Sequence, residues 1–445
     1  MVESDTIAAL ATPGGTGAVA LIRVSGPKAW EVVETACGRD FGEARRAVLR
    51  SVRDEAGQVI DQTLVTPFRG PASFTGEDTV EVATHGGRLV TRRVLERLLN
   101  CGARPARPGE FTERAFFHGK LDLTQAEAVM DLISAQSDLA LRAAHEQLEG
   151  RLGRRTEGLR DELLGVVAQV EAWIDFPEDD IDPETGAALD ARLEAVAGGI
   201  RTLLATADQG RILREGLRTV ICGLPNAGKS SLLNQLLGEE RAIVSHTAGT
   251  TRDTIEEALV VDGVPLRLVD TAGLRLAGDE IEEEGIRRTR REAGRADLLI
   301  VVADASLPPQ EAWPDALPAV TRELRVLNKV DLGEHPGWAD FEADRISCSD
   351  GSGIARLRTH IREMAELGEA DWGEHAVAIN ARHRGCLRIA ADALERGREA
   401  LASGMAAEMA AMELREALEA LGEIAGRVDT EEILGEIFSR FCIGK

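Results

Sequence analysis

The spacing of apolar residues divides the chain into stretches of different secondary structure. Residues 1–118 contain short runs rich in β-formers, such as AVALIRVSG and VEVATHGG, between turns rich in Gly and Pro. This pattern predicts an α+β domain. From Leu121 to about Leu213, apolar residues recur every three or four positions, as in AEAVMDLI, which predicts long helices. The acidic segment DFPEDDIDPETG interrupts them and predicts a loop.

From Leu217 the pattern changes to alternating strands and helices. RTVICG, PLRLVD, DLLIVVAD and ELRVLNK each predict a strand, and SLLNQLL predicts an amphipathic helix. This alternation predicts a parallel sheet covered by helices on both faces. Helical spacing returns from about His375 to Phe441. We therefore predict one helical domain interrupted by an inserted α/β domain, with the two ends of the insertion close together.

Composition limits the classes of function. The chain has 52 Lys and Arg against 76 Asp and Glu, a formal charge of −24, so its surface as a whole repels RNA phosphates. An RNA substrate would need a local basic patch, a cationic partner or a second subunit. Aromatic residues make up only 3% and Tyr is absent, which argues against platforms that stack on bases.

The cysteines and the N-terminal sequence bear on the compartment. Six scattered cysteines without a CxxC pair argue against a disulfide framework and a zinc knuckle, and they favour the reducing cytoplasm. The start, MVESDTIAAL, lacks the features of a signal peptide, and no apolar run is long enough to cross a bilayer. We expect a cytoplasmic protein without stable membrane association.

One segment carries specific phosphate-binding chemistry. Gly223–Ser230, GLPNAGKS, matches GxxxxGK[ST] between a predicted strand and a predicted helix. Backbone N–H groups of such a loop bind phosphate oxygens, and the dipole of the following helix assists them. Lys229 would reach the β and γ phosphates and assist catalysis, while Ser230 would ligate magnesium. The predicted nucleotide-binding positions here are Asn226, Ala227, Gly228, Lys229, Ser230 and Ser231.

Two further motifs follow in the order found in GTPases. In DTAG, the Asp270 carboxylate can hold magnesium through water, and the Gly273 N–H can contact the γ-phosphate. In NKVD, the Asp331 carboxylate can accept both N1–H and N2–H of guanine, which adenine does not offer. Asn328 and Lys329 brace the base pocket. The three motifs together predict GTP rather than ATP as the substrate.

Other positions around this site are less specific. Gly249, Thr250 and Thr251 lie in the segment AGTTRD, and on chemistry alone either threonine could complete the magnesium shell. Leu274 stands where Ras-like proteins place a water-orienting Gln, so another group must position the attacking water. Ser347, in SCS, stands where a last base-contacting loop is expected, although a plain loop fits nearly as well.

Over essentially its whole length the chain resembles the MnmE (TrmE) family of tRNA-modification GTPases. The segments that carry this resemblance are DTIAALATP, SFTGED, RPGEFTERAF, KLDLTQAEAVMDLI, AGTTRD, DTAGLR and the terminal FCIGK. The resemblance implies a multidomain protein. Its segments would be an N-terminal α+β folate-binding and dimerisation domain (1–118), a discontinuous α-helical domain (119–215 and 374–445) and an inserted Ras-like α/β P-loop GTPase domain (216–373).

The resemblance also implies potassium beside magnesium. Thr251 would be the magnesium ligand together with Ser230, and the potassium would supply charge where other GTPases use an arginine finger. Glu282 matches the family's catalytic glutamate, which orients water indirectly; without the resemblance it is one acid of a solvated helix start. The residues that match the potassium site are Asn226, Ser245, Thr247 and Thr250.

A tetrahydrofolate derivative, in the 5-formyl or methylene form, is a further implied cofactor. From sequence alone, Arg23 is equally a surface charge and Glu81 an edge-strand residue. Cys442, in FCIGK, is a candidate reactive thiol, although a packing role fits slightly better because the sequence shows no adjacent His or Lys on a defined face that would activate it. The residues that match the family's folate-contacting positions are Arg23, Glu81, Lys120 and Lys445.

The implied function is GTP hydrolysis coupled to tRNA modification. A homodimer would act with a flavin-dependent MnmG-type partner, as a heterotetramer, to add an aminomethyl or carboxymethylaminomethyl group at C5 of the wobble uridine. Two alternatives stay open. One is a regulatory GTPase in ribosome assembly, although no KH-type GXXG or basic tail is evident; the other is a folate-binding scaffold with incidental GTPase activity.

Overall fold

The computed structural model describes residues 5–175, 186–238, 257–269, 292–314, 322–365, 377–403, 407–427, 431–439 and 441–444. The chain forms two compact units. One consists of Met1–Met130, Gly153–Asp161 and Leu418–Lys445, and the other of Asp131–Leu152 and Glu162–Ala417. The domain boundaries inferred from sequence stay a prediction.

The first unit contains a mixed sheet in the order β3-β4-β5-β2-β1-β6, in which β6 is parallel to β1 and the other neighbours are antiparallel. The α+β character expected for the N-terminal region is therefore confirmed. The strands are β1 (Ile7–Leu10), β2 (Val19–Ser25), β3 (Val48–Arg53), β4 (Val59–Phe68), β5 (Thr79–His85) and β6 (Arg104–Pro105).

Alternation along these strands separates a core face from an outer face. Ile22, Val24, Val80 and Val82 are fully buried against helices α1 (Ala29–Cys37) and α2 (Arg88–Asn100). The intervening residues of β2 and β5 lie on the outer face, where they are available for a site. The remaining helices with residues in this unit include α3 (Glu110–Phe117) and α4 (Leu123–Ser134).

The second unit contains a sheet in the order β12-β11-β10-β7-β9-β8. Apolar side chains of β10 alternate between two cores, one shared with helices and one shared with Val220, Cys222 and Val269. Burial on both faces is as predicted. The strands are β7 (Leu217–Cys222), β8 (Glu257–Val261), β9 (Val264–Leu268), β10 (Leu298–Asp304), β11 (Glu323–Asn328) and β12 (Asp344–Arg345).

The parallel arrangement predicted from the strand–helix alternation does not extend to one edge of the sheet, because β8 is antiparallel to β9. The turn that joins them consists of Asp262 (φ 47°) and Gly263 (φ 84°), both with positive φ. Consecutive Asp and Gly with positive φ form the tight turn that matches the twist of a hairpin. The Asp-Gly dipeptide in the sequence is therefore typical of this hairpin turn.

Helices on both sides of the α/β segment pack together. Among them, α7 packs against α12. Thr206 Oγ1 donates to Val377 O at 2.7 Å, and a Cβ at Gly210 would meet the Ile379 backbone at 2.8 Å. The segment before the α/β region, at Thr206 and Gly210, is therefore adjacent to the segment after it, at Val377 and Ile379. These helices are α5 (Asp138–Leu148), α6 (Arg151–Asp175), α7 (Gly186–Ala205), α8 (Ala207–Glu215), α12 (Ala381–Ala402) and α13 (Ala407–Ala425).

Helices within and after the α/β segment complete the fold. Leu232 and Leu236 of α9 and Leu357 and Ile361 of α11 are buried in the same core as β10. The last helix, α14, packs against α3 in the first unit. The ranges are α9 (Lys229–Leu237), α10 (Pro309–Ala312), α11 (Ile354–Met364) and α14 (Glu431–Ser439).

Candidate functional site

The carboxyl ends of four neighbouring strands form one edge of the second sheet. β7, β10, β11 and β12 are mutually parallel in this order of pairing, so their carboxyl ends point the same way. Gly223 follows β7, Asp304 ends β10, Asn328 ends β11 and Ser347 follows β12. Ligand sites of open α/β sheets lie at such an edge.

The loop after β7 has a backbone that requires its glycines. Gly223 has φ 147°, and a Cβ there would collide with Val302 O of the neighbouring strand. Gly228 has φ 97°, and a Cβ there would collide with the Asn328 amide. Asn226, between them, has φ 61°. This arrangement brings the loop backbone close to β10 and to Asn328, as a phosphate-binding loop needs.

Helix α9 starts directly after this loop. Lys229 is its first residue, and Lys229 Nζ donates to Gly223 O at 3.0 Å and to Leu224 O at 2.8 Å. Ser230 and Ser231, in the first turn, are exposed, whereas Ala227 is buried. The start of α9 therefore presents N–H groups, two hydroxyls and an ammonium group on one edge, which suits a bound polyphosphate.

Asn328 connects the phosphate loop to the base-binding segments. Its side chain is 2% exposed; Nδ2 donates to Ala227 O at 2.9 Å, and Oδ1 accepts from Cys348 N at 3.1 Å. Ser347 is fully buried, and its Oγ accepts from Ser349 N at 3.2 Å. Ser347 thus stabilises its own loop, and its side chain is turned away from solvent.

Asp331 lies where a base-reading carboxylate could act. It is exposed within the short 3₁₀ helix Val330–Leu332, which follows β11 directly. Burial is the main cause that raises the pKa of the Cys348 thiol to about 11, and the negative charge of Asp331 adds to it. Cys348 is therefore a neutral thiol near the Asp331 carboxylate, and the SCS loop adds no second negative charge.

The sequence gives no direct indication of the ion pair between Lys329 and Asp304. Lys329 Nζ lies 2.6 Å from Asp304 Oδ2. A signal was nevertheless present, because Asp304 is the one charged residue at the carboxyl end of the apolar strand LLIVVAD. Polar groups at this end of a buried parallel strand point to a site rather than to the core.

Several predicted site residues lie outside the described residues. Ser230 is the one predicted magnesium ligand, and Asn226 the one predicted potassium ligand, in the part of the chain that the structure describes. Both side chains offer an oxygen atom, which these hard cations prefer as a ligand. β9 ends at Leu268, two residues before the DTAG motif. The predicted residues outside the described part of the chain are Ser245, Thr247, Gly249, Thr250, Thr251, Asp270, Gly273, Glu282 and Lys445.

A second cluster lies on the outer face of the first sheet. Arg23 of β2 and Glu81 of β5 are cross-strand partners, and Arg23 donates to Glu81 Oε1 at 2.9 Å and 3.2 Å. The guanidinium carbon of Arg23 lies 4.9 Å from the centre of the Phe74 ring and 5.7 Å from that of Phe111. These two aromatic residues belong to the segments SFTGED and GEFTER. The sequence analysis did not identify them as part of a site.

A buried polar network fixes the segment that carries Phe74. Ser25 Oγ lies 2.7 Å from Thr75 Oγ1 and donates to Glu77 Oε2 at 2.8 Å. Arg114, whose side chain is 4% exposed, donates to both Glu77 carboxylate oxygens at 3.0 Å and 3.2 Å. Since every one of these groups has a partner, the segment SFTGED is held rigidly over the outer face.

Of the other two predicted folate residues, only Lys120 lies in the described part of the chain. Lys120 Nζ donates to Pro71 O at 3.0 Å, at the start of the segment that leads to Phe74. The C-terminal tail packs against the same unit, since Ile443 pairs with Pro108 and a Cβ at Gly444 would collide with Leu10 O. Cys442 is exposed in this tail.

Known proteins resemble this chain over nearly its whole length. The family model described as MnmE helical domain matches residues 123–442, and the model described as GTP-binding protein TrmE N-terminus matches residues 6–120. Proteins named tRNA modification GTPase MnmE are 52% identical over 444 residues in Akkermansia muciniphila and 43% identical over 454 residues in Pseudomonas aeruginosa, each with 99% of both chains covered.

Among solved structures, the FeoB G-domain from Methanococcus jannaschii is 24% identical and covers 34% of this chain and 98% of its own, with a TM-score of 0.25. The full-length matches, unlike this one, include the N-terminal and helical regions as well as the phosphate loop. The chain belongs to the MnmE (TrmE) family of tRNA modification GTPases.

Proposed function

We propose that this GTPase modifies the wobble uridine of tRNA. It adds an aminomethyl or carboxymethylaminomethyl group at C5, with a tetrahydrofolate derivative as one-carbon donor and a flavin-dependent MnmG-type partner in a heterotetramer. The observation that carries the GTP-dependent part is Asn328, whose amide bonds to Ala227 of the phosphate loop while Asp331, three residues on, is exposed. Phosphate and base recognition thus share one rigid edge.

The residues at this edge have separate roles in GTP hydrolysis. Lys229 and the N–H groups at the start of α9 bind the β and γ phosphates, and Asp331 accepts the two guanine N–H groups. Ser230, with Thr251, holds magnesium, which screens the phosphate charge when bound; Glu282 orients the attacking water indirectly. Asp270 and Gly273 complete the γ-phosphate contacts.

A potassium ion is proposed as the second cation. Asn226 supports it, because a left-handed φ of 61° places an exposed amide at the tip of the phosphate loop. The other proposed ligands are Ser245, Thr247 and Thr250. A cation there would stabilise the charge that develops in phosphoryl transfer.

GTP turnover is expected to be higher in KCl than in NaCl at equal ionic strength, by on the order of tenfold or more. The variant Asn226→Gly keeps the positive φ accessible and removes the side-chain oxygen, so its turnover should be the same in both salts. Steady-state phosphate release measures both. Equal wild-type rates in the two salts would remove potassium from the mechanism.

Packing within the second unit supports a coupling of the GTP cycle to helices. Gly263, in the β8–β9 turn, lies against Leu139 of α5, and Ala143 of α5 shares a core with Leu259 and Leu266 of the hairpin. This hairpin joins the switch segment AGTTRD to DTAG in sequence. A shift of either motif on hydrolysis would reach α5 through this hairpin.

The outer face of the first sheet supports a homodimer. Leu49, Leu64, Ala83 and Leu21 are successive cross-strand partners and form an apolar row beside Arg23 and Glu81. The side chains at its free end are unusually open to solvent, since Leu49 is 61% and Leu64 51% exposed. We take a second copy as the occupant because this row borders the proposed folate cluster, which the partner would then help to enclose.

A cytoplasmic location fits this function. All six cysteines are free. No helix in the described ranges combines the length and apolarity needed to cross a bilayer. A tRNA substrate would be met in the cytoplasm, where the reducing environment keeps thiols free.

Deletion of the gene is expected to abolish C5 modification of wobble uridines, as read by mass spectrometry of tRNA nucleosides. The wild-type chain should restore it, whereas Glu81→Gln (folate cluster) and Leu64→Glu (apolar row) should not. Leu89→Glu is the matched control, because Leu89 is 61% exposed on α2, the helix that packs against the opposite face of the same sheet. Unaltered nucleosides together with defective ribosome particles would favour a regulatory GTPase of ribosome assembly instead.

A further inference from the structure

Lys329 has an unusual backbone and a fixed side chain. Its φ of 67° is left-handed, which is uncommon for a residue with a β-carbon, and it precedes the 3₁₀ helix that carries Asp331. Its ammonium group lies 2.6 Å from Asp304 Oδ2, and its side chain is 32% exposed. The aliphatic part of the Lys329 side chain therefore lies across the carboxyl ends of β10 and β11.

Asp304 is itself held firmly. Its Oδ1 accepts from Ser306 N at 3.0 Å and from Ser306 Oγ at 2.7 Å. Burial raises the pKa of the Asp304 carboxyl, but hydrogen bonds from Lys329 and Ser306 outweigh it and hold the pKa below its usual value. Ala305 N donates to Asn328 O at 2.8 Å, which fixes β10 against β11 at this point.

We propose that Asp304 is a positioning residue for guanine. Its carboxylate holds the Lys329 ammonium group, so that the four-carbon stem of Lys329 is fixed as an apolar wall for one face of the base beside Asp331. A free lysine side chain would lose its rotamer freedom on each binding event, whereas a lysine already paired has lost it beforehand. The proposal rests on guanine binding at this edge.

An alternative role for the ion pair is to stabilise the loop after β11. His335 N donates to Ala305 O at 2.8 Å, and Trp338 Nε1 donates to Leu307 O at 2.8 Å, so this loop has anchors of its own. Trp338 is fully buried. These contacts hold the loop independently of Lys329, so loss of the ion pair leaves the loop in place.

The test is a double-mutant cycle in the full-length chain with Asp304→Asn and Lys329→Met, measured as GDP affinity by competition against a fluorescent GDP analogue. Each single variant is expected to bind GDP about tenfold more weakly, about 1.4 kcal/mol, and the double variant no more weakly than either. Turnover at saturating GTP should stay unchanged, so that KM rises and kcat does not. Asp304→Glu should recover part of the affinity.

The inosine nucleotide separates this role from that of Asp331. IDP lacks the N2 amino group but presents the same two faces of the purine ring as GDP. Asp304→Asn should therefore weaken the binding of GDP and of IDP by the same factor. Asp340→Asn, an exposed aspartate on the same loop, is the control and should bind GDP as the wild type does. Thermal unfolding monitored by circular dichroism checks that each variant is folded.

Additive losses in the double variant, or GDP affinity unchanged in both single variants, would overturn the proposal. Additivity would mean that Asp304 acts on the loop and not through Lys329. A wild-type chain that binds no guanine nucleotide would instead contradict the function proposed above, so the two failures are distinguishable.

Discussion

Replacing Asp331 with Asn is expected to change the base preference from guanine to xanthine. The carboxylate accepts N1–H and N2–H of guanine, whereas the amide presents one donor and one acceptor, which matches the C2 carbonyl and N1–H of xanthine. Guanine keeps at most one of its two hydrogen bonds, now to a neutral group, and its N2–H meets the amide N–H, so GTP binding should weaken by on the order of 10²–10³-fold. Asp331 is exposed, so the fold should tolerate the change.

Competition titrations with GDP and XDP against a fluorescent GDP analogue measure this effect. Asp340→Asn again serves as control, because it removes one exposed carboxylate from the same loop without touching the 3₁₀ helix. A variant that keeps its guanine preference would show that Asp331 does not read the base. The exposed 3₁₀ helix would then need another function.

Replacing Lys229 with Ala is expected to lower GTP turnover by about 10³-fold or more. The ammonium group lies within 3.0 Å of two phosphate-loop carbonyls, so the loop backbone already directs it to the position where phosphate oxygens bind. Alanine removes the positive charge that stabilises the β and γ phosphates in the transition state. Helix α9 should remain, because Ala is a good helix former and Leu232 and Leu236 stay buried.

Phosphate release under saturating GTP is the measurement, with Lys28→Ala as control because Lys28 is exposed in the N-terminal region. The control should keep the wild-type rate. The thermal midpoint of Lys229→Ala should stay within a few degrees of the wild type. A variant that turns over GTP at the wild-type rate would mean that the phosphates bind elsewhere.

The nucleotide edge could be predicted largely from sequence because its groups are contiguous. The loop GLPNAGKS needs glycines at fixed positions, and the structure gives the reason at Gly223 and Gly228, where any Cβ would collide with Val302 O or with Asn328. The apolar strand before it and the amphipathic helix after it are equally local. Local patterns of this kind appear directly in the order of residues.

What depends on the pairing of distant strands could not be predicted. Asp304 meets Lys329 only because β10 and β11 pair in a register that places Asp304 opposite Asn328. Likewise, Phe74 reaches Arg23 through a loop fixed by Glu77 and other buried polar groups. The sequence shows each residue, but not the register or the loop closure that brings it to its partner.

The compact units also show what local patterns miss. Packing assigns Leu418–Lys445 to the unit of the N-terminal sheet and Glu162–Ala417 to the other, a division that helical spacing alone does not indicate. Phe438 and Phe441 are buried with Leu123, which no periodicity within either segment could indicate. A helical repeat shows that a face is apolar, but not which partner covers it.

The central claim is that one sheet edge binds phosphate through Lys229 and reads guanine through Asp331. Displacement of a fluorescent GDP analogue from the purified full-length chain by GDP and by ADP tests it most directly. We expect displacement by GDP and none by ADP at a hundredfold higher concentration. Equal displacement by the two nucleotides would contradict it.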